Sequence, residues 1–282
     1  MNCGTTPDAS PTTLAHEVVA YYERGGEAPR LLTGTGRLEF ARTQEILLRY
    51  LPESPAVVYD VGGGPGLYAC WLAGLGYDVH LVDVTPLHVE QALEASRLQP
   101  EHPLTGAAVG DTRQLSFDDA SAEAVLLLGP LYHLTERQDR ALALQEARRV
   151  LKPGGVLFAA AISRYASALD GLLTEALLDP EFIAIAERDL IDGQHRNPHS
   201  DRDYFTTAFF HAPAELASEL AEAGYRDCQI IGVEGPGWLM QDFEGRWQDP
   251  RRREVLLRVA RYLEAEPTLS GLSSHILAVA RA

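Results

Sequence analysis

Apolar positions along the chain follow two alternating rhythms. Short continuous apolar runs at 56–61, 78–82, 107–109, 122–128, 156–162, 227–233 and 275–280 have the length of buried strands and lack the polar alternation of half-exposed ones. Between them, apolar residues recur at helical spacing over 38–51, 67–75, 85–96, 137–151, 213–223 and 251–264. The helix stops are local. Pro52 ends the first, Gly224 the fifth, and Lys152-Pro153-Gly154-Gly155 the fourth; Thr85-Pro86 opens the third. The alternation predicts an α/β fold, a doubly wound and mostly parallel seven-stranded sheet. Two segments fall outside the rhythm. Residues 1–13, rich in Thr, Pro, Asn and Ser, predict a disordered tail, followed by a short helix over 14–22 that stops at Gly25-Gly26. Residues 163–212 interrupt the core with two helical stretches, 166–178 and 180–191, and a polar loop over 192–203, the pattern of a cap or lid. The expected organisation is therefore a cap segment and cofactor-binding core over 14–162, an insertion over 163–212, and the rest of the sheet over 213–282.

The first strand runs into Asp60-Val61-Gly62-Gly63-Gly64-Pro65-Gly66, and the second ends at Asp83. Glycines without Cβ atoms allow a tight turn and a close backbone approach to a ligand. An acid at the end of the second strand can accept hydrogen bonds from both ribose hydroxyls of a nucleoside lying across that turn. The spacing argues against a dinucleotide. Gly62, Gly64 and Gly66 make G-x-G-x-G, Leu67 stands where the third fingerprint glycine belongs, and Pro65 removes an N–H from the would-be pyrophosphate cradle. Asp60 would repel a diphosphate but suits an ammonium group.

This pattern resembles motif I of the class I S-adenosylmethionine-dependent methyltransferases, in which one acid leads the glycine loop and a second ends the next strand. Two further stretches carry the resemblance: Gly129-Pro130-Leu131-Tyr132-His133-Leu134 is similar to the loop after the fourth strand in a large bacterial small-molecule group, and Leu151-Lys152-Pro153-Gly154-Gly155 to the turn before the fifth. The resemblance implies a Rossmann-like fold with a reversed last strand, S-adenosyl-L-methionine as cofactor, and methyl transfer to an O or N nucleophile of a small-molecule acceptor. It implies cofactor contacts from Asp60, Gly62, Gly64, Gly66, Asp83, Val84, Asp111 (to the adenine amino group), Thr112 and Leu128. An N-terminal segment folding over the cofactor would add Tyr22 and Arg30, which read equally well as a packed tyrosine and a solvated arginine. Tyr132 and His133 should face the acceptor as the catalytic pair, with His133 the best general-base candidate or else a structural histidine. His195, Arg196, His199, Tyr204, Phe205 and His211 of the insertion, and Trp238 beyond it, are candidate substrate contacts; Trp238 reads equally as core.

Charge narrows the partners. A net charge of −16 without a basic stripe excludes a phosphate-backbone ligand, so no nucleic-acid partner is expected. Three dispersed cysteines form neither a disulfide framework nor a CxxC metal site, and Pro198 between His195 and His199 breaks helical presentation of that pair, so no metal is expected. No leader and no long apolar run is visible, which predicts a cytoplasmic protein without a membrane partner. Oligomeric state is left open. Non-methylating chemistry on the same cofactor and a non-catalytic binding module are the alternatives; a dehydrogenase is disfavoured by the glycine spacing.

Overall fold

The computed structural model describes residues 13–27, 29–197 and 204–282. The candidate contact His199 and nearly all of the expected tail lie outside the described residues. Seven strands form one sheet: β1 (Val57–Val61), β2 (Asp78–Asp83), β3 (Gly106–Val109), β4 (Ala122–Leu127), β5 (Leu151–Ile162), β8 (Arg226–Gly232) and β9 (His275–Arg281). A separate two-stranded ribbon joins β6 (Gln194–His195) to β7 (Ala208–Phe209) inside the insertion. The sheet order is β3-β2-β1-β4-β5-β9-β8, and only β9 runs antiparallel to its neighbours. The expected seven-stranded, doubly wound sheet with a reversed last strand is what the chain forms.

Each central strand is apolar on both sides because each side meets a helix layer. Val58, Ala124 and Leu126 pack with Ile46, Leu72 and Val89 from helices Gly36–Tyr50, Leu67–Gly74 and Pro86–Arg97. Tyr59, Val61, Val125 and Leu127 pack on the other side with Leu144, Ala147 and Leu216 from helices Arg137–Val150 and Pro213–Glu222. Strand order reverses between β1 and β4, so their carboxyl ends splay apart and leave a crevice, the place where open α/β sheets bind ligands.

One local expectation differs. Lys152–Gly155 is not a helix stop followed by a turn but part of β5: Leu151 already pairs with Ala122, and the ladder resumes at Ala124 with Val156. The cause is long-range, since the carboxyl terminus claims this stretch through Ala282 N–H donating to the Gly155 carbonyl at 3.0 Å. The insertion forms a helix over Ala166–Leu173, shorter than the expected 166–178, with a separate 3-10 turn at Ala176–Leu178, then the helix Pro180–Asp192 and the ribbon, which the sequence pattern did not foretell.

Candidate functional site

The crevice is a cavity whose floor is the glycine turn. Gly62 sits at φ +71° with its Cα facing Pro130: an added Cβ would lie 2.4 Å from Pro130 Cγ, so the turn and the Gly129–His133 loop are fitted to each other. Gly66, at φ +86°, caps the helix Leu67–Gly74 and faces Ala92, where a Cβ would come within 2.8 Å. It does not line the cavity, so the expected cofactor contact at Gly66 is instead a helix-packing position.

Asp83 organises the turn. Its Oδ2 accepts from Gly64 N–H at 2.9 Å, its Oδ1 from Thr85 N–H at 2.8 Å, and His88 Nδ1 stands 3.2 Å from Oδ1. Asp60 is the opposite case. It is buried, yet neither carboxylate oxygen has a hydrogen-bond partner. Burial, and then the neighbouring Asp83, pushes its carboxyl up to about 7. A fixed cation beside Asp60 would relieve both effects.

At the far end, Asp111 is held by Arg113, whose backbone N–H, Nε and Nη2 donate to it at 2.6–3.2 Å, while Arg113 also reaches Asp139. Thr112, Val84 and Leu128 complete this wall. Tyr22, Arg30, Tyr132 and His133 line the cavity as well. The N-terminal segment does fold over the cavity, but Arg30 is already engaged. Its Nη1 and Nη2 donate to both oxygens of Glu39 at 2.6 and 3.1 Å, and its Nε to Glu27 at 2.8 Å. It therefore contributes little free charge for a ligand carboxylate.

Tyr22 and His133 are joined, phenol oxygen to Nε2, at 2.7 Å. Burial drives the His133 imidazole down to about 4, so the ring is neutral near pH 7. Taking a proton from an ordinary phenol onto such a ring would run uphill by roughly 8 kcal/mol. His133 is thus poorly suited to be a general base and well suited to hold Tyr22. Burial also raises the Tyr132 phenol, which keeps its proton.

The insertion's candidate contacts stand back from the cavity. His195 is buried with both nitrogens engaged, Nδ1 by Asp189 at 2.9 Å and Nε2 by the Tyr204 carbonyl at 2.7 Å. Arg196 bonds the Ala208 carbonyl, and Tyr204 donates to Asp179. His211 is buried beside Glu219, 3.3 Å away, which also receives Arg140. Trp238 donates to the Leu272 carbonyl and is not among the residues lining the cavity. These four predicted substrate contacts, His195, Tyr204, His211 and Trp238, are framework residues instead. Their effect is indirect: His195 and Asn197 fix the Tyr204–Phe205 backbone, with Phe205 at φ +65°, and its ring packs on Tyr21 and on His133, which lines the cavity.

Sequence reasoning missed Thr85, His88 and Thr135, which line the cavity and carry buried polar atoms without a partner. Nine buried side-chain polar atoms lack a partner among the described residues. Seven of them belong to residues lining this one cavity: two on Asp60 and one each on Thr85, His88, Thr112, His133 and Thr135. Unpaired buried polar atoms are costly and rare, and their concentration on residues lining one cavity marks it as the site of a polar ligand. A threonine or histidine at the first turn of the helix after Asp83 was the available signal.

Comparison with known proteins agrees with this geometry. Residues 59–159 match the family described as Methyltransferase domain. A ubiquinone biosynthesis O-methyltransferase of Xanthomonas oryzae pv. oryzae (strain PXO99A) is 31% identical over 206 residues, covering 71% of this chain and 73% of the relative. Among solved structures, an S-adenosylmethionine-dependent methyltransferase from Mesorhizobium loti superposes with a TM-score of 0.57 at 18% identity, over 87% of this chain and 100% of that one. The [4+2]-cyclase SpnF has the same fold, with a TM-score of 0.56 at 16% identity over 95% of this chain and 92% of that one.

Proposed function

Because this chain belongs to the class I S-adenosylmethionine-dependent methyltransferases, we propose that it transfers the methyl group to a hydroxyl of a small-molecule acceptor bound beneath the cap. The supporting observation is the set of unpaired polar atoms on residues that line one cavity. Together with Asp83 and Asp111, which line the same cavity, these residues suit S-adenosylmethionine along its length: Asp60 for the ammonium, Asp83 for the ribose, and Asp111 with Thr112 for the adenine. The hydroxyl acceptor rests on the O-methyltransferase relative, and an amine acceptor is the alternative within the same chemistry.

When bound, S-adenosylmethionine supplies a methyl group already activated on a sulfonium, so the protein's work is placement. Asp60 and the glycine turn would anchor the amino-acid part, and Asp83 the sugar. Tyr132, His133 and Tyr22 would wall the acceptor, with Phe205 closing the top and excluding water. A neutral His133 tied to Tyr22 fixes the phenol as part of that wall. Catalysis then rests on holding the acceptor oxygen in line, roughly 3 Å from the methyl carbon, rather than on a strong base.

The test is mass spectrometry of the protein incubated with S-adenosylmethionine and a panel of hydroxylated and amino acceptors. S-adenosylhomocysteine together with a product one methyl heavier is the expected result. Cofactor consumption giving another product would favour non-methylating chemistry on the same fold, and absence of cofactor binding would overturn the reading.

A further inference from the structure

Asp83 has less capacity for a ligand than its position suggests. An ionised carboxylate offers about four lone-pair sites. Three are spoken for: Gly64 N–H on Oδ2, and Thr85 N–H with His88 Nδ1 on Oδ1. One site remains, on Oδ2, and a ribose presents two hydroxyls. The second hydroxyl needs another acceptor within the same few ångströms.

His88 offers one. It lies in the first turn of the helix Pro86–Arg97, which Thr85 and Pro86 start immediately behind Asp83. Its ring is 3% exposed and lines the cavity beside the glycine turn: a Cβ built on Gly64 would lie 4.0 Å from its Nδ1. Asp83 can only accept, so Nδ1 carries a proton and donates to it. Nε2 is left buried without a partner. The Tyr22 ring packs edge-on against the imidazole at 5.1 Å between centroids and holds its plane.

We propose that His88 shares the ribose with Asp83, Nε2 accepting a hydrogen bond from one hydroxyl while Oδ2 of Asp83 accepts from the other. The inference rests on the methyltransferase reading and assigns to this chain a positioning residue that the glycine–acid pattern does not include. The imidazole has two tasks that a substitution can separate. Nδ1 orients Asp83; Nε2 meets the ligand. An asparagine at this position reproduces the donor near Nδ1 but does not reach the Nε2 position, and a glutamine reaches toward Nε2.

The experiment is a calorimetric cycle on the full chain, using S-adenosylhomocysteine and its 2′-deoxy and 3′-deoxy analogues against wild type, His88→Asn and His88→Gln. In wild type each deletion of a hydroxyl should cost about tenfold in affinity, the value of one hydrogen bond. In His88→Asn the parent ligand should bind about tenfold more weakly, while one of the two deoxy analogues should lose nothing further. His88→Gln should recover part of the loss for that same hydroxyl. Thermal unfolding of the ligand-free variants checks that they fold; should His88→Asn fail to fold, the glutamine variant carries the cycle alone. Equal, additive losses for both analogues in every variant would overturn the role of His88 and leave the cofactor assignment standing. No binding of S-adenosylhomocysteine to wild type would overturn both.

Discussion

Asp60 gives the sharpest physical test of the site. Its carboxyl, ordinarily near 3.8, stands at about 7 because burial penalises the charged form and Asp83 adds like charge nearby. Raised above its ordinary value, the folded-state group keeps its proton where the unfolded chain has lost it. Its contribution is therefore fully present below about pH 4, declines as pH rises toward about 7, and is constant beyond. A carboxyl raised from 3.8 to about 7 forfeits about 4 kcal/mol across that window in the ligand-free protein. Asp60→Asn preserves the shape and removes the charge. Urea denaturation between pH 4 and 8 should show the variant gaining on wild type with rising pH, approaching that figure at pH 8. Ligand binding reports the same group from the other side. If the ammonium of S-adenosylhomocysteine sits beside Asp60, binding at pH 6 should expel roughly nine-tenths of a proton from wild type, and almost none from this position at pH 8 or in Asp60→Asn. Calorimetry in buffers of different ionisation enthalpy measures the difference, and the ligand's own amine cancels between the two proteins. A stability gap that does not change with pH, together with equal proton release from both proteins, would refute this role for Asp60.

Four further outcomes follow from other contacts. Glu219→Ala should cost about 3–5 kcal/mol in urea denaturation, because Arg140 is left buried over the Phe209 ring without its counter-charge; a wild-type midpoint would count against a structural role for this cluster. Although burial pushes the Glu219 carboxyl upward, hydrogen bonds from His211 and Arg140 hold it at about 2, so the stability it lends is present above pH 4.5 and should vanish as pH falls toward 2, which an acid titration of wild type against Glu219→Gln detects. Gly62→Ala forces a side chain into positive φ against Pro130; a loss of about 1–3 kcal/mol and weakened S-adenosylhomocysteine binding are expected in thermal shift assays, and an unaltered protein would show that the turn is not so constrained. His133→Phe should lower turnover by less than about tenfold without removing an ionisation from the pH–rate profile, whereas a general base would cost about 10²-fold or more.

The residues that could be read from the sequence are those whose surroundings are set by their immediate chain neighbours. Asp60 closes a strand, the glycines follow it, and Asp83 closes the strand that pairs with it in parallel register. Two parallel strands with a short helical crossover leave little choice about where those acids go, so the turn and both acids emerge in one cavity. Asp111 and the Gly129–His133 loop follow for the same reason, each at the carboxyl end of the next strand in the sheet order. Periodicity likewise placed the helices, because a helix buried along one stripe announces its period.

What stayed hidden depends on how each element turns its side chains, even toward partners that stand close by in the chain. A histidine in a polar insertion looks the same whether it faces a ligand or a buried carboxylate, and the decision at His195 is made by Asp189 on a neighbouring helix, at His211 by Glu219 beyond the ribbon. Arg30 reads as a free cation until a turn of chain brings Glu39 to both of its donors. His88 is the converse. On an amphipathic helix it passes for a core residue, and it is buried like one. Its place in the first turn, two residues after Pro86, sets its ring on Asp83 and leaves one nitrogen buried without a partner. A buried polar atom is therefore informative only after its possible partners have been counted. Counting them inverted several expectations here: His195, engaged on both nitrogens, builds the cap, and His88, with Nε2 unpartnered in the cavity lining, is assigned to the ligand.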